Sequence, residues 1–223
     1  MQGLNTMQQL AVLILPVLFA ITVHEAAHGW MAKQLGDRTA EMLGRVSLNP
    51  LRHIDPLGTV LVPLAMFLLS GFLFGWAKPV PITWRNLKKP RRDMALVAAA
   101  GPAANLLQAL IWGVLIKVGL AVFHTSQWVG LPLVYMGAAG VLINVILMVL
   151  NLLPILPLDG GRVLSSLLPP RWAYGFSRLE PYGLFIIVGL LMTGLLSKVV
   201  LPFVILAVGL LPGADVVKEL FFV

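Results

Sequence analysis

His24, Glu25 and His28 stand in the order His-Glu-x-x-His at the end of an apolar stretch running from Leu10 to Val23. On a helix, residues four apart share a face, so the two imidazoles can hold one Zn2+ while Glu25 reaches the water to be activated. Ionisable side chains in so apolar a segment are costly without a partner, and a metal ion supplies one. The chemistry this points to is zinc-assisted hydrolysis at a site within the bilayer. Two blander readings compete: a chance match, and an inert hydrogen-bonded cluster on a buried helix. The chain has only four histidines, and chance alone gives this pattern in about one such sequence per thousand.

A catalytic zinc usually takes three protein ligands and a water. The chain has no cysteine, so thiolate ligands and disulfides are excluded and the donors must be nitrogen and oxygen. The best third candidate is Asp159, in the stretch Asn151 through Pro154, Pro157, Asp159, Gly160 and Gly161, where paired glycines let backbone approach closely. The alternative is that Asp159 caps the next helix. His53 beside Arg52 and Asp55 reads as a structural loop residue, Glu41 as part of a strand, and His124 as a solvated residue at the far end of a span.

The elements that must position these residues are apolar. Of 223 residues 59% are hydrophobic and 11% charged, and the mean hydropathy is +0.92. Soluble domains carry about 25% charged residues, so the chain is expected to be an integral membrane protein, a single core domain over 1–223. The first nine residues lack Lys and Arg, which argues against a cleavable signal peptide. The net charge of +7 and pI of about 10.2 come from basic loops beside apolar spans, as on cytoplasmic flanks, and not from a nucleic-acid-binding face.

A first helix is predicted from about Met7 to Lys33, then a short strand or hairpin over about 40–48 ended by Asn49-Pro50. Residues 95–123 and 131–156 are each long enough to span. Tyr182 to Leu211 reads as one tilted span or a tight hairpin. The expected fold is therefore an all-α polytopic membrane protein with a small β element, its zinc site inside the helical bundle.

Joining Asp159 to His24 and His28 constrains the topology. Both ligand groups lie near the C-terminal ends of their helices, so residues 34 and 160 share a side. Two spans separate residue 93 from 158, so residue 93 is on that side too, and its basic loops make it cytoplasmic. The apolar segment at about 57–76 then has both flanks on one face. It is expected to be a re-entrant or interfacial hairpin turning near Ser70-Gly71, although hydropathy alone favours an ordinary span.

With these residues in place the chain resembles the site-2 proteases, the intramembrane zinc metalloproteases. His24-Glu25-Ala26-Ala27-His28-Gly29 matches that family's first motif, and Asn151 through Asp159-Gly160-Gly161 its second. Gly101-Pro102-Ala103-Ala104-Asn105 and Asn49-Pro50 through His53-Ile54-Asp55-Pro56 are also similar. The likeness is to the short, core-only branch, without a PDZ or cystathionine-β-synthase-type domain.

The resemblance implies one Zn2+ per chain on His24, His28 and Asp159, Glu25 as general base, and a transmembrane protein as substrate, cut within the lipid bilayer. The expected location is a prokaryotic cell membrane, with the active-site side cytoplasmic. Substrate would pair with the edge of the 40–48 strand while Asn105 and Asn151 donate to its backbone; those two could equally serve helix contacts. The rival classes are a catalytically silent homologue that binds membrane helices, and a metal carrier.

Overall fold

The computed structural model describes residues 5–61 and 78–222. The first helix, α1 (Thr6–Gln34), starts from a reciprocal cap: the Asn5 side chain accepts from the Gln8 backbone and the Gln8 side chain from the Asn5 backbone. Two N–H groups left over at the helix start are thereby satisfied. The helix stops at Leu35 and Gly36, the latter at φ 112°, which glycine tolerates and other residues do not.

Asp37 ties this end of α1 to a distant segment. Its side chain is enclosed and accepts from Thr39 N (3.0 Å), the Thr39 hydroxyl (2.5 Å), Thr83 N (2.6 Å) and the Asn86 amide (3.0 Å). Burial pushes the carboxyl up, but the donors from Thr39, Asn86 and Thr83 outweigh it and hold it below the usual carboxylate range. Asp37→Asn would set an amide N–H2 against one of these donors. The expected cost is about 1–3 kcal/mol in thermal unfolding in detergent. A carboxylate of depressed pKa stabilises the fold above its unfolded value of about 3.9, and that stability is lost as pH falls through the folded value. The wild type should therefore lose stability below about pH 4 more steeply than the variant. Equal melting of the two at neutral pH would remove Asp37 as the tie.

After the helical turn α2 (Thr39–Met42), the chain runs through a 3-10 turn at Pro50–His53 and a wider turn at Pro56–Leu61. No strand forms over 40–48, nor elsewhere among the described residues. The loop instead closes on side chains: the Arg52 guanidinium donates to the Gly44 carbonyl and Arg45 to the Arg52 carbonyl. The neighbouring extended segment, Lys78-Pro79-Val80-Pro81, makes a poor partner strand. Pro79 and Pro81 have no N–H, and the N–H groups of Lys78 and Val80 go to the His53 carbonyl (2.9 Å) and the Glu25 carboxylate (3.1 Å).

The long helices α3 (Pro90–Phe123) and α4 (Gln127–Asn151) form the centre. They approach closely because their seam is small: a Cβ on Gly137 would sit 2.7 Å from Ile116, and one on Gly140 would strike the Trp112 ring. Ala20, His24 and His28 of α1 meet Asn105, Gly101 and Val97 of α3 in falling order, so these two helices are antiparallel. α4 is antiparallel to α3 as well, with Val134, Gly137 and Asn144 against Gly119, Ile116 and Asn105. α1 and α4 therefore end on the same face, as the shared ligand site requires.

Among the described residues, α1, α3 and α4 are long and apolar enough to cross a membrane. Beyond α4 come α5 (Asp159–Leu167), α6 (Pro170–Ser177), α7 (Glu180–Met192), α8 (Leu195–Gly209) and α9 (Ala214–Phe221). α6 and α7 meet at 61° and together would count as a fourth span. The stretch 182–211 is two helices, broken at Thr193 and at Gly194 with φ 71°. α8 packs on α4 through Val200, Val204 and Val208 against Val141, Val145 and Val149, forming the main apolar core.

The hairpin expected at about 57–76 lies, beyond Leu61, outside the described residues. Its two flanks are described, and they touch at the His53–Lys78 hydrogen bond.

Candidate metal centre

His24 and His28 lie ten and six residues before the end of α1, about 15 and 9 Å along its axis. They sit well inside a membrane-grade helix, with side chains about nine-tenths buried. Each ring is fixed from behind. His24 Nδ1 donates to Asn105 Oδ1 at 2.5 Å and His28 Nδ1 to the Val97 carbonyl at 2.7 Å. Gly101 leaves room for both rings, since a Cβ there would lie 2.5 Å from His28 Nε2 and 2.6 Å from His24 Cε1.

Asp159 arrives from the other side. It is the first residue of α5, but the side chain makes no capping bond, so capping is not its role. The glycines behind it let the start of α5 press onto the preceding loop: a Cβ on Gly161 would be 2.6 Å from the Ile155 carbonyl carbon and from Leu156 N. That turn aims the carboxylate back at α1. Oδ2 lies 3.2 Å from His24 Nε2 and 3.3 Å from His28 Nε2, and the two Nε2 atoms are 3.1 Å apart.

The identity of these three atoms is informative. With both Nδ1 positions acting as donors, each ring turns its Nε2 inward, toward a carboxylate oxygen, and in the neutral form that nitrogen is a lone-pair donor to a cation. Two ring nitrogens and a carboxylate oxygen converge, and Asp159 Oδ2 has no hydrogen-bond partner among the described residues. Such a group repels itself unless a cation sits within it. Donors about 2.0–2.1 Å from a tetrahedral zinc lie about 3.3 Å apart, close to the separations found. The residues present fit zinc.

Glu25 is half-buried on the adjacent face, where one carboxylate oxygen, Oε2, accepts from Val80 N. Asn105 is fully enclosed behind His24, donating to the Ala20 carbonyl (3.2 Å) and to Asn144 Oδ1 (2.8 Å). Asn151 donates to the Leu147 carbonyl of its own helix and is half-buried near the loop that leads to Asp159. The rival ligands lie elsewhere. His53 is buried against the Ser47 carbonyl, Glu41 is paired with Lys33 and Arg38, and His124 packs on Phe123 at the opposite end of α3. Sequence reasoning missed Asn144, the Val97 carbonyl and the Val80 N–H. The first had a signal, a lone amide in an apolar span; the other two are backbone groups and had none.

A bundle of membrane-grade helices enclosing a nitrogen-and-oxygen metal centre defines a multi-pass membrane metalloprotein. Within that class the chain belongs to peptidase family M50, the site-2 protease family of zinc metalloproteases. The Peptidase family M50 model matches residues 117–194, which include Asn151 and Asp159. YwhC of Bacillus subtilis is 37% identical over 94% of this chain and 90% of its own length. Rip2 of Mycolicibacterium smegmatis is 31% identical over 81% of this chain and 66% of its own length. Both carry the name "putative zinc metalloprotease". No solved structure matches the chain.

Proposed function

We propose that this protein is an intramembrane zinc endopeptidase that hydrolyses peptide bonds in the transmembrane segments of other proteins. The convergence of His24 Nε2, His28 Nε2 and Asp159 Oδ2 within the apolar bundle carries this reading. When bound, zinc supplies Lewis acidity that polarises a carbonyl and lets water ionise near neutral pH. His24, His28 and Asp159 hold it, and the bonds from Asn105 and Val97 keep both rings in register. Glu25 takes the proton of the attacking water at Oε1, because Oε2 is engaged by Val80 N–H, and hands it to the leaving amine. Asn151, beside the loop that carries Asp159, is assigned to the substrate backbone, whereas the enclosed Asn105 acts through His24.

Substrate must reach the site unwound, since a helical peptide bond is screened by its own hydrogen bonds. Basic residues Arg85, Lys88, Lys89, Arg91 and Arg92 flank the start of α3, and Arg162, Arg171 and Arg178 follow Asp159, on the face where α1 ends. That charge supports a cytoplasmic orientation in a prokaryotic cell membrane. The test is to co-reconstitute the protein in liposomes with single-span membrane proteins and map the products by mass spectrometry. Chelator-sensitive cuts within the apolar segment are expected. Cuts confined to soluble flanks, or cutting indifferent to chelator, would refute the reading.

A further inference from the structure

Asn144 lies in the middle of α4, fully enclosed and out of contact with the three converging donor atoms. An amide in an apolar span needs an explanation, and its two bonds give one. Its Nδ2 donates to the Gly140 carbonyl at 2.9 Å. A carbonyl only accepts, so this bond fixes which way the Asn144 amide points and leaves Oδ1 facing α3. There it takes a proton from Asn105 Nδ2 at 2.8 Å. The Ala20 carbonyl draws the other Asn105 N–H at 3.2 Å, so Asn105 has just its oxygen to offer His24. His24 Nδ1 must then be the donor, at 2.5 Å, and Nε2 is left bare.

We propose that Asn144 is a positioning residue for the metal centre, acting through Asn105 to hold His24 as the Nδ1–H tautomer with its Nε2 lone pair aimed at the ion. The relay runs Gly140, Asn144, Asn105, His24, and every link has one possible direction. It joins three helices, so the tautomer of an α1 ligand is set from α4. This rests on the zinc reading of the site given above.

The test compares wild type, Asn144→Leu and Asn144→Asp, each purified in detergent, stripped and titrated with zinc against a chromophoric chelator. Leucine keeps the branched shape, with the same number of heavy atoms, and removes both bonds. A buried aspartic acid takes up a proton and restores both, its hydroxyl to Gly140 and its carbonyl oxygen to Asn105. Outer partners of metal-binding histidines typically govern affinity by about 10–100-fold, so Asn144→Leu should weaken zinc binding by that factor and Asn144→Asp should recover most of it. A residue that merely glues helices would lower the melting temperature of the stripped protein and leave zinc affinity unchanged, which would overturn the proposal. If wild type itself takes up no zinc, the reading of the site fails, not the relay alone. Wild type labelled with 15N-histidine needs no variant. The Nδ1–H form is expected at His24, and an Nε2–H form in the stripped protein would overturn the relay even if Asn144→Leu does not fold.

Discussion

Asp159→Ala should purify as a folded protein with far less zinc than wild type, which is expected to carry close to one ion per chain, and with no measurable peptide cleavage. The substitution removes the only carboxylate of the three and leaves two imidazole Nε2 atoms facing each other at 3.1 Å. Asp159 makes no capping bond, so α5 has no reason to unravel when the side chain goes. Losing an inner ligand costs more than the roughly 10–100-fold in affinity or activity that losing an outer partner does. Elemental analysis of both proteins in detergent, beside their circular dichroism, reads this directly. Zinc retained at the wild-type level without Asp159 would break the three-donor site.

Glu25→Gln should give the opposite dissociation, with zinc content unchanged and turnover reduced by about 10²–10⁴-fold. A glutamine cannot take up the water proton, but its amide oxygen still accepts from Val80 N, so the 78–82 segment keeps its anchor. The ligand set is untouched, because neither imidazole bonds to Glu25. The same variant separates an enzyme from a catalytically silent homologue, for which no processing event in cells would change. Full turnover in Glu25→Gln would remove Glu25 as the base even with zinc in place.

The candidate site residues were legible because helical periodicity alone puts His24 and His28 on one face, and because carboxylates and imidazoles are rare in apolar runs. Requiring Asp159 to share their metal was enough to place the ends of α1 and α4 together, as the antiparallel packing of both on α3 confirms. What failed was local. The 40–48 stretch has a strand-like pattern, but a strand needs a partner with free donors, and the prolines at 79 and 81 deny it one. The break at Thr193 and Gly194 could not be read from hydropathy, since both sides of it are equally apolar. Asn105 was legible as a polar residue in a span but not as His24's support, because that bond joins positions 81 residues apart.

The Lys78 N–H is held by the His53 carbonyl, and Val80, two residues on, grips the Glu25 carboxylate. Between the two anchors lies a single residue, Pro79, with Pro81 immediately beyond, and a proline ring has almost no give in φ. The tether is short and stiff. A shift that parts Lys78 from His53 cannot be absorbed along the way, and it arrives at the Glu25 carboxylate as a change in how tightly one oxygen is held. A displacement at the Lys78–His53 contact is thus felt at the Glu25 carboxylate with little slack.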